Sequence, residues 1–147
     1  MIKVIWTQNG VDYDLSKGGF AQDDSLVSLV IYCLFTDARA KDDDELPSGT
    51  DKRGWPGNTY SEFGWGSRLW LLSREKITTQ TIHDAKSYAE EALAPITDNS
   101  LAKHIEVNAS RTSRDVITLS ICITLNDNTT QEYQATLSWN TAAAMEV

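Results

Sequence analysis

Apolar positions recur along this chain with two different periods, and the change of period divides it into helical and extended parts. Near the C-terminus, Ile105, Val107 and Ala109 alternate with Glu106, Asn108 and Ser110. Ile117, Leu119, Ile121, Ile123 and Leu125 alternate with residues that include Thr118, Ser120 and Thr124, and Tyr133, Ala135, Leu137 and Trp139 with Gln134, Thr136 and Ser138. A period of two puts every apolar side chain of a strand on one face. Arg114-Asp115 and Asn126-Asp127-Asn128 supply turns, so the spacing predicts a three-stranded antiparallel meander over 105–140 with helices covering its apolar face.

Upstream the period lengthens. Ile82, Ala85, Ala89, Ala92, Leu93 and Ile96 have helical spacing, which predicts a helix from Thr78 to Ala94 with Pro95 as its stop, and Asp98 caps one further turn through Leu101-Ala102-Lys103. A second, almost wholly apolar helix is predicted from near Ser25 to Thr36, capped by Asp23-Asp24. Leu26, Val27, Leu29, Val30, Ile31, Leu34 and Phe35 leave it little polar surface, so it belongs deep in the fold or under a partner. Ile2 to Thr7 and Val11 to Leu15 flank Asn9-Gly10, a type I′ hairpin dipeptide. Between the helices, Asp37 to Gly66 has no period, a long loop whose aromatics Trp55, Tyr60, Phe63 and Trp65 must pack either on the protein's own core or on something else. Ser67 to about Arg74 reads as a short helix with Leu69 and Leu72 on one side and Trp70 and Arg74 one turn apart on another, an arginine set over a tryptophan face. The expected fold is α+β in one domain over 1–147: hairpin 1–22, helical region 23–104 with its loop at 37–66, meander 105–140 and a frayed tail at 141–147.

Composition narrows the function classes. A formal net charge of −8 with scattered basic residues argues against a nucleic-acid surface. No apolar run approaches the roughly 18 to 20 residues that span a bilayer, and Gln8-Asn9-Gly10 interrupts any signal-like start, so neither a membrane nor export is expected. Cys33 and Cys122 lie in apolar segments and read as buried thiols of a reducing compartment, although a bridge between them stays open. His83 and His104 have no second ligand at metal spacing, Asp42-Asp43-Asp44-Glu45 lacks the alternation of a calcium loop and reads as a solvated acidic run, and no metal or cofactor is expected. Glu62 and Glu75 flank the tryptophan-rich region and could serve as the two carboxylates of a glycosidase, although a chain with 21 acidic residues offers many such pairs. Trp55, Tyr60 and Trp65 could form a carbohydrate platform.

Five blocks, Ile31-Tyr32-Cys33-Leu34-Phe35-Thr36-Asp37-Ala38-Arg39-Ala40, Asp43 to Pro47, Asp51-Lys52-Arg53-Gly54-Trp55, Gly66 to Lys76 and Tyr88-Ala89-Glu90-Glu91-Ala92-Leu93, resemble in order and spacing the phage Mu gene-product-forty-six family. Pro56 stands where that family's pattern leads one to expect a second aromatic. The resemblance implies a non-enzymatic α+β component of a contractile-tail baseplate, related to wedge proteins that initiate the sheath. It implies other baseplate proteins and sheath subunits as partners, several copies per particle, and a place first in the host cytoplasm and then in the virion tail. Arg53, Trp55, Arg68, Trp70, Arg74 and Glu75 then form either a network that locks the loop within the protein or a face for another subunit. Ile105, Val107, Tyr133, Leu137 and Trp139 mark the strands whose edges could accept a strand from a sheath subunit.

Overall fold

The computed structural model describes residues 4–7, 10–13, 26–47, 49–54, 65–73, 76–138 and 144–146. Its strands are β1 (Val4–Thr7), β2 (Gly10–Tyr13), β3 (His104–Ser113), β4 (Val116–Thr124), β5 (Thr130–Ser138) and β6 (Ala144–Glu146). Its α-helices are α1 (Leu26–Phe35) and α2 (Thr79–Asp98), with a 3₁₀ turn at Leu69–Leu72. The α+β class is as the periodicity predicts.

The strands β3, β4 and β5 form the expected antiparallel meander, in register from Ile105↔Ile123 to Ala109↔Leu119 and from Ile117↔Leu137 to Ile123↔Gln131. Ile117, Leu119, Ile121 and Ile123 of β4 are buried, while the residues between them are half-exposed. One face of the sheet therefore meets α1, α2 and the 3₁₀ turn in a common core that includes Val30, Leu34, Leu69, Leu72, Ala85, Leu93, Ile96, Val107 and Tyr133. Each large aliphatic residue buried there contributes about 1.5–3 kcal/mol. The turn between β4 and β5 closes with Asn128 at φ 67 and with the Asp127 carboxylate accepting from the Thr129 N–H at 3.0 Å.

Three expectations need correction. Residues 141–147 do not all fray: Ala144–Glu146 add a fourth strand to the sheet, pairing with Gln134–Thr136, so the order is β3-β4-β5-β6. Pro95 does not stop α2, which runs on to Asp98. Its ring removes one N–H bond to the preceding turn, but its carbonyl still holds the helix end together: the Asn99 backbone N–H and side-chain amide both donate to the Pro95 carbonyl, at 3.0 and 2.7 Å. The turn beyond is not a new helix capped by Asp98. Ser100 takes φ 59, and the Leu101 and Ser100 N–H groups return to the carbonyls of Ile96 and Thr97, each at 3.0 Å, a Schellman closure.

The N-terminal strands pair antiparallel as expected, from Val4↔Tyr13 to Thr7↔Gly10, so Gly10 belongs to β2, and residue 9 lies outside the described residues. Thr78, where the helix was expected to begin, is the N-cap of α2, its side chain accepting the Thr81 N–H at 3.2 Å. The Asp23-Asp24 cap of α1 lies outside the described residues. Cys33 and Cys122 are both free, so no bridge joins them.

Candidate functional site

The long loop is stapled at both ends to the start of the 3₁₀ turn. Ser67 donates its N–H to Thr36 O (2.8 Å), accepts the Ala38 N–H (2.9 Å) and gives its hydroxyl to Leu34 O (2.5 Å). Gly66 makes this approach feasible. Its φ is 111, and a Cβ there would stand 2.8 Å from Thr36 O. The chain then tightens into Leu69–Leu72. With three residues per 3₁₀ turn, Leu69 and Leu72 fall on the same side and enter the main core, while Trp70 and Leu71 pack with Ala40 and Leu46 in a second cluster.

Arg68, at the head of this turn, is the centre of an ionic network. Its side chain is 12% exposed, and one guanidinium nitrogen reaches both carboxylate oxygens of Asp44 at 2.8 and 2.9 Å. The other reaches Glu91 on α2 at 2.5 Å, and the guanidinium carbon lies 4.6 Å from the centre of the Tyr88 ring. Lys41 adds a second cation to Glu91 at 3.3 Å, and its backbone N–H donates to Asp44 at 2.8 Å. The Arg68 Nε is buried with no hydrogen-bond partner among the described residues.

Burial works to raise the Asp44 carboxyl pKa, but the Lys41 N–H and the Arg68 guanidinium outweigh it and hold the group below its ordinary value. Glu91 behaves alike: burial pushes it up, and Arg68 and Lys41 bring it below the usual carboxylate value. Burial opposes the charge on Arg68, which Glu91 and Asp44 more than restore, so its pKa rises. Asp44 thus departs from the solvated acidic run expected of 42–45, because Arg68 draws it inward. Asp42 stays exposed and pairs with Lys52 at 2.5 Å.

A second arginine completes the lock. Asp51 accepts the Arg53 N–H at 2.8 Å, an Asx-type contact that supports Arg53 at φ 51. From there the Arg53 guanidinium pairs with Asp37 at 2.8 Å and sits 4.7 Å from the Trp70 ring centre. The Trp70 indole N–H donates to Ala38 O at 2.8 Å. An arginine over Trp70 is therefore Arg53, seventeen positions earlier in the chain; Arg74, which helical spacing suggested for that role, lies outside the described residues.

Of the residues singled out from sequence, Arg53, Arg68 and Trp70 meet in one place, while Trp55, Tyr60, Glu62, Arg74, Glu75 and Trp139 lie outside the described residues. Trp65 is half-buried against the main core. Asp37, Asp44, Tyr88 and Glu91 complete the network; all four stand within the family blocks, the one signal in the sequence that marks them. Ile105 and Val107 lie on β3, an edge of the sheet, beside a cleft of about 250 Å³ that they line with Leu93, Ala94, His104 and others. Tyr133 and Leu137 are buried on β5, whose backbone is partly taken by β6. His83 is exposed and 3.9 Å from Asp84. Among the described residues no three His, Cys, Asp or Glu side chains gather as a metal site, and no helix is long and apolar enough to cross a membrane.

What fold and network define is an α+β protein whose most elaborate polar construction fixes a long loop to a helix. The chain belongs to the phage protein GP46 family, whose sequence profile matches residues 26–130. It is 40% identical over 140 residues to the baseplate protein gp46 of Escherichia phage Mu, an alignment covering 95% of this chain and 97% of that one. It is 33% identical over 140 residues to the Mu-like prophage FluMu protein gp46 of Haemophilus influenzae, again covering 95% and 97%. The family resemblance of the motif blocks is borne out.

Proposed function

We propose that this chain is a structural, non-enzymatic component of the baseplate of a contractile phage tail, acting as a wedge protein on which the first sheath ring assembles. The 40% identity to a baseplate protein across 95% of the chain carries this reading. The network agrees with it: Arg68 and Arg53 spend their donors on Asp44, Glu91 and Asp37, which suits shape-holding better than catalysis. Several copies would surround the tube and bind other baseplate proteins and sheath subunits, after assembly in the host cytoplasm.

Strand addition to the sheet is the physical means by which a sheath subunit would attach. β6 already pairs with the middle of β5, so the edge of β3 at Ile105 and Val107 is the better acceptor. Deleting the gene from a Mu-like prophage and imaging the particles tests the reading. Tails without baseplates, restored by the wild-type gene, support it; normal contractile particles refute it. A cell-wall glycosidase using Glu62 or Glu75 is the enzymatic rival. Peptidoglycan turbidity clearing by the purified protein, lost on Glu62→Gln or Glu75→Gln, would establish that rival instead.

A further inference from the structure

Beside the Arg68 network lies a cleft of about 240 Å³, lined by Ala38, Arg39, Lys41, Ser67, Tyr88 and Glu91 among others. The acceptors of Ala38, Ser67 and Glu91 are already engaged. The Ala38 carbonyl takes the Trp70 indole N–H, the Ser67 carbonyl takes the Ala38 N–H, and the two Glu91 oxygens take Arg68 and Lys41. The cleft's donors are not. Lys41 contributes one contact from an ammonium that carries three hydrogens and is 57% exposed. Arg39 is exposed and makes a single 3.5 Å contact, to the Arg53 carbonyl, with no carboxylate in ion-pair range among the described residues. Asp42 is near enough to feel the Arg39 charge, but it is held by Lys52.

We propose that this cleft receives a carboxylate side chain carried by an acidic extended segment of a neighbouring protein subunit, with Arg39 and Lys41 as its ligands. The spare capacity of the wall is donor capacity, so the complementary group is an oxyanion; the planar guanidinium of Arg39 can bind a carboxylate through two parallel bonds. The volume suits one acidic side chain and its flanking backbone. The inference rests on reading the chain as an assembly component, since a partner must bring the segment.

The test is titration of the ¹⁵N-labelled full chain at low salt with an acetylated, amidated Gly-Glu-Glu-Gly peptide, following the amides of Arg39, Lys41 and Ser67 and the Trp70 indole. Saturable shifts confined to this cleft, weakened roughly two- to fivefold by Arg39→Ala, abolished by Arg39→Glu and kept in Arg114→Glu, support the proposal. Arg114 lies in the β3–β4 turn and makes the same change in net charge. No shifts, or equal loss in Arg39→Glu and Arg114→Glu, overturn it. Inorganic phosphate competing as well as the peptide does would also overturn it, by making the cleft a free-anion site. Incorporation of the Arg39→Glu chain into tails separates the two readings. A chain that assembles normally although the peptide fails to bind removes the cleft proposal and leaves the baseplate role standing.

Discussion

Arg68 holds Asp44, twenty-four positions earlier, through both carboxylate oxygens, with the two side chains only 12% and 11% exposed. This pair joins the loop to the 3₁₀ turn, and Glu91 extends it to α2. Removing one partner of a buried pair strands the other charge, which costs about 3–5 kcal/mol. Because Glu91 is half-exposed and can rehydrate, Arg68→Ala should fall at the lower end, a loss of about 3 kcal/mol in urea unfolding. Arg68→Lys should recover only part, since an ammonium cannot span both oxygens of Asp44 while reaching Glu91. In the double variant with Asp44→Ala the loss should be clearly less than the sum of the single losses. An Arg68→Ala protein within about 0.5 kcal/mol of wild type would show the network to be energetically idle.

The same network sets an acid limit. Asp44 and Glu91 have folded-state pKa values below their ordinary 3.8 and 4.5. A carboxyl lowered on folding stabilises the native state above its unfolded pKa, and that stability is lost as pH falls through the folded value. Stability should therefore hold from neutrality to about the ordinary carboxylate range and decline below it. Arg68→Ala should flatten that decline as well as lower the plateau. Melting temperatures between neutral and strongly acid pH check this, and an acid slope unchanged in the variant would place its origin in other carboxyls.

What could be read from the sequence tracks how local each cause is. The meander was legible because alternation needs only neighbouring residues, and the start of α2 because helical spacing is set within the element itself. The Arg53–Trp70 stack was not, because spacing rules see one helical turn and this partner arrives from a loop. Asp44 looked like one more solvated acid among 42–45; only the fold shows that it alone faces Arg68. β6 escaped notice because Ala-Met-Glu has no alternation of its own, and its pairing is dictated by the β5 edge it meets.

Trp70 separates packing from stacking. The residue is 9% exposed, and its indole N–H is the donor to Ala38 O. Trp70→Phe keeps most of the apolar contact but leaves that carbonyl unpaired, with an expected loss of about 1–3 kcal/mol. Arg53→Ala removes a half-exposed cation from the ring face together with its ion pair to Asp37, and should cost about 0.5–1 kcal/mol. It should nonetheless raise acrylamide quenching of Trp70, measured in a variant where the other tryptophans are phenylalanine. Quenching that stays constant would mean the loop holds its place without the stack.

The two thiols should react at very different rates. Burial pushes the Cys33 thiol up to about 12, and its side chain has no exposed surface, whereas Cys122 sits half-exposed on the outer face of β4. Iodoacetamide at neutral pH, followed by peptide mass analysis, should label Cys122 alone in the folded protein and both residues in urea. Native labelling of Cys33 at a comparable rate would show that α1 opens readily.

Gly66 offers the sharpest steric test. A side chain at φ 111 is strained in itself, and here the added Cβ would also meet Thr36 O at 2.8 Å and Ala38 N at 3.1 Å, both backbone atoms within the staple made by Ser67. Neither can move without breaking the hydrogen bonds at 2.8 and 2.9 Å that close the loop. Gly49 supplies the control, with φ 65 and nothing within 4 Å of an added Cβ. Gly49→Ala should lose about 1 kcal/mol, the ordinary cost of a left-handed backbone for an L-residue. Gly66→Ala should lose at least about 3 kcal/mol, since strain and clash act together. Equal losses at the two positions would mean that the contact between the loop and the 3₁₀ turn yields without resistance, and that Ser67 does not hold the two together.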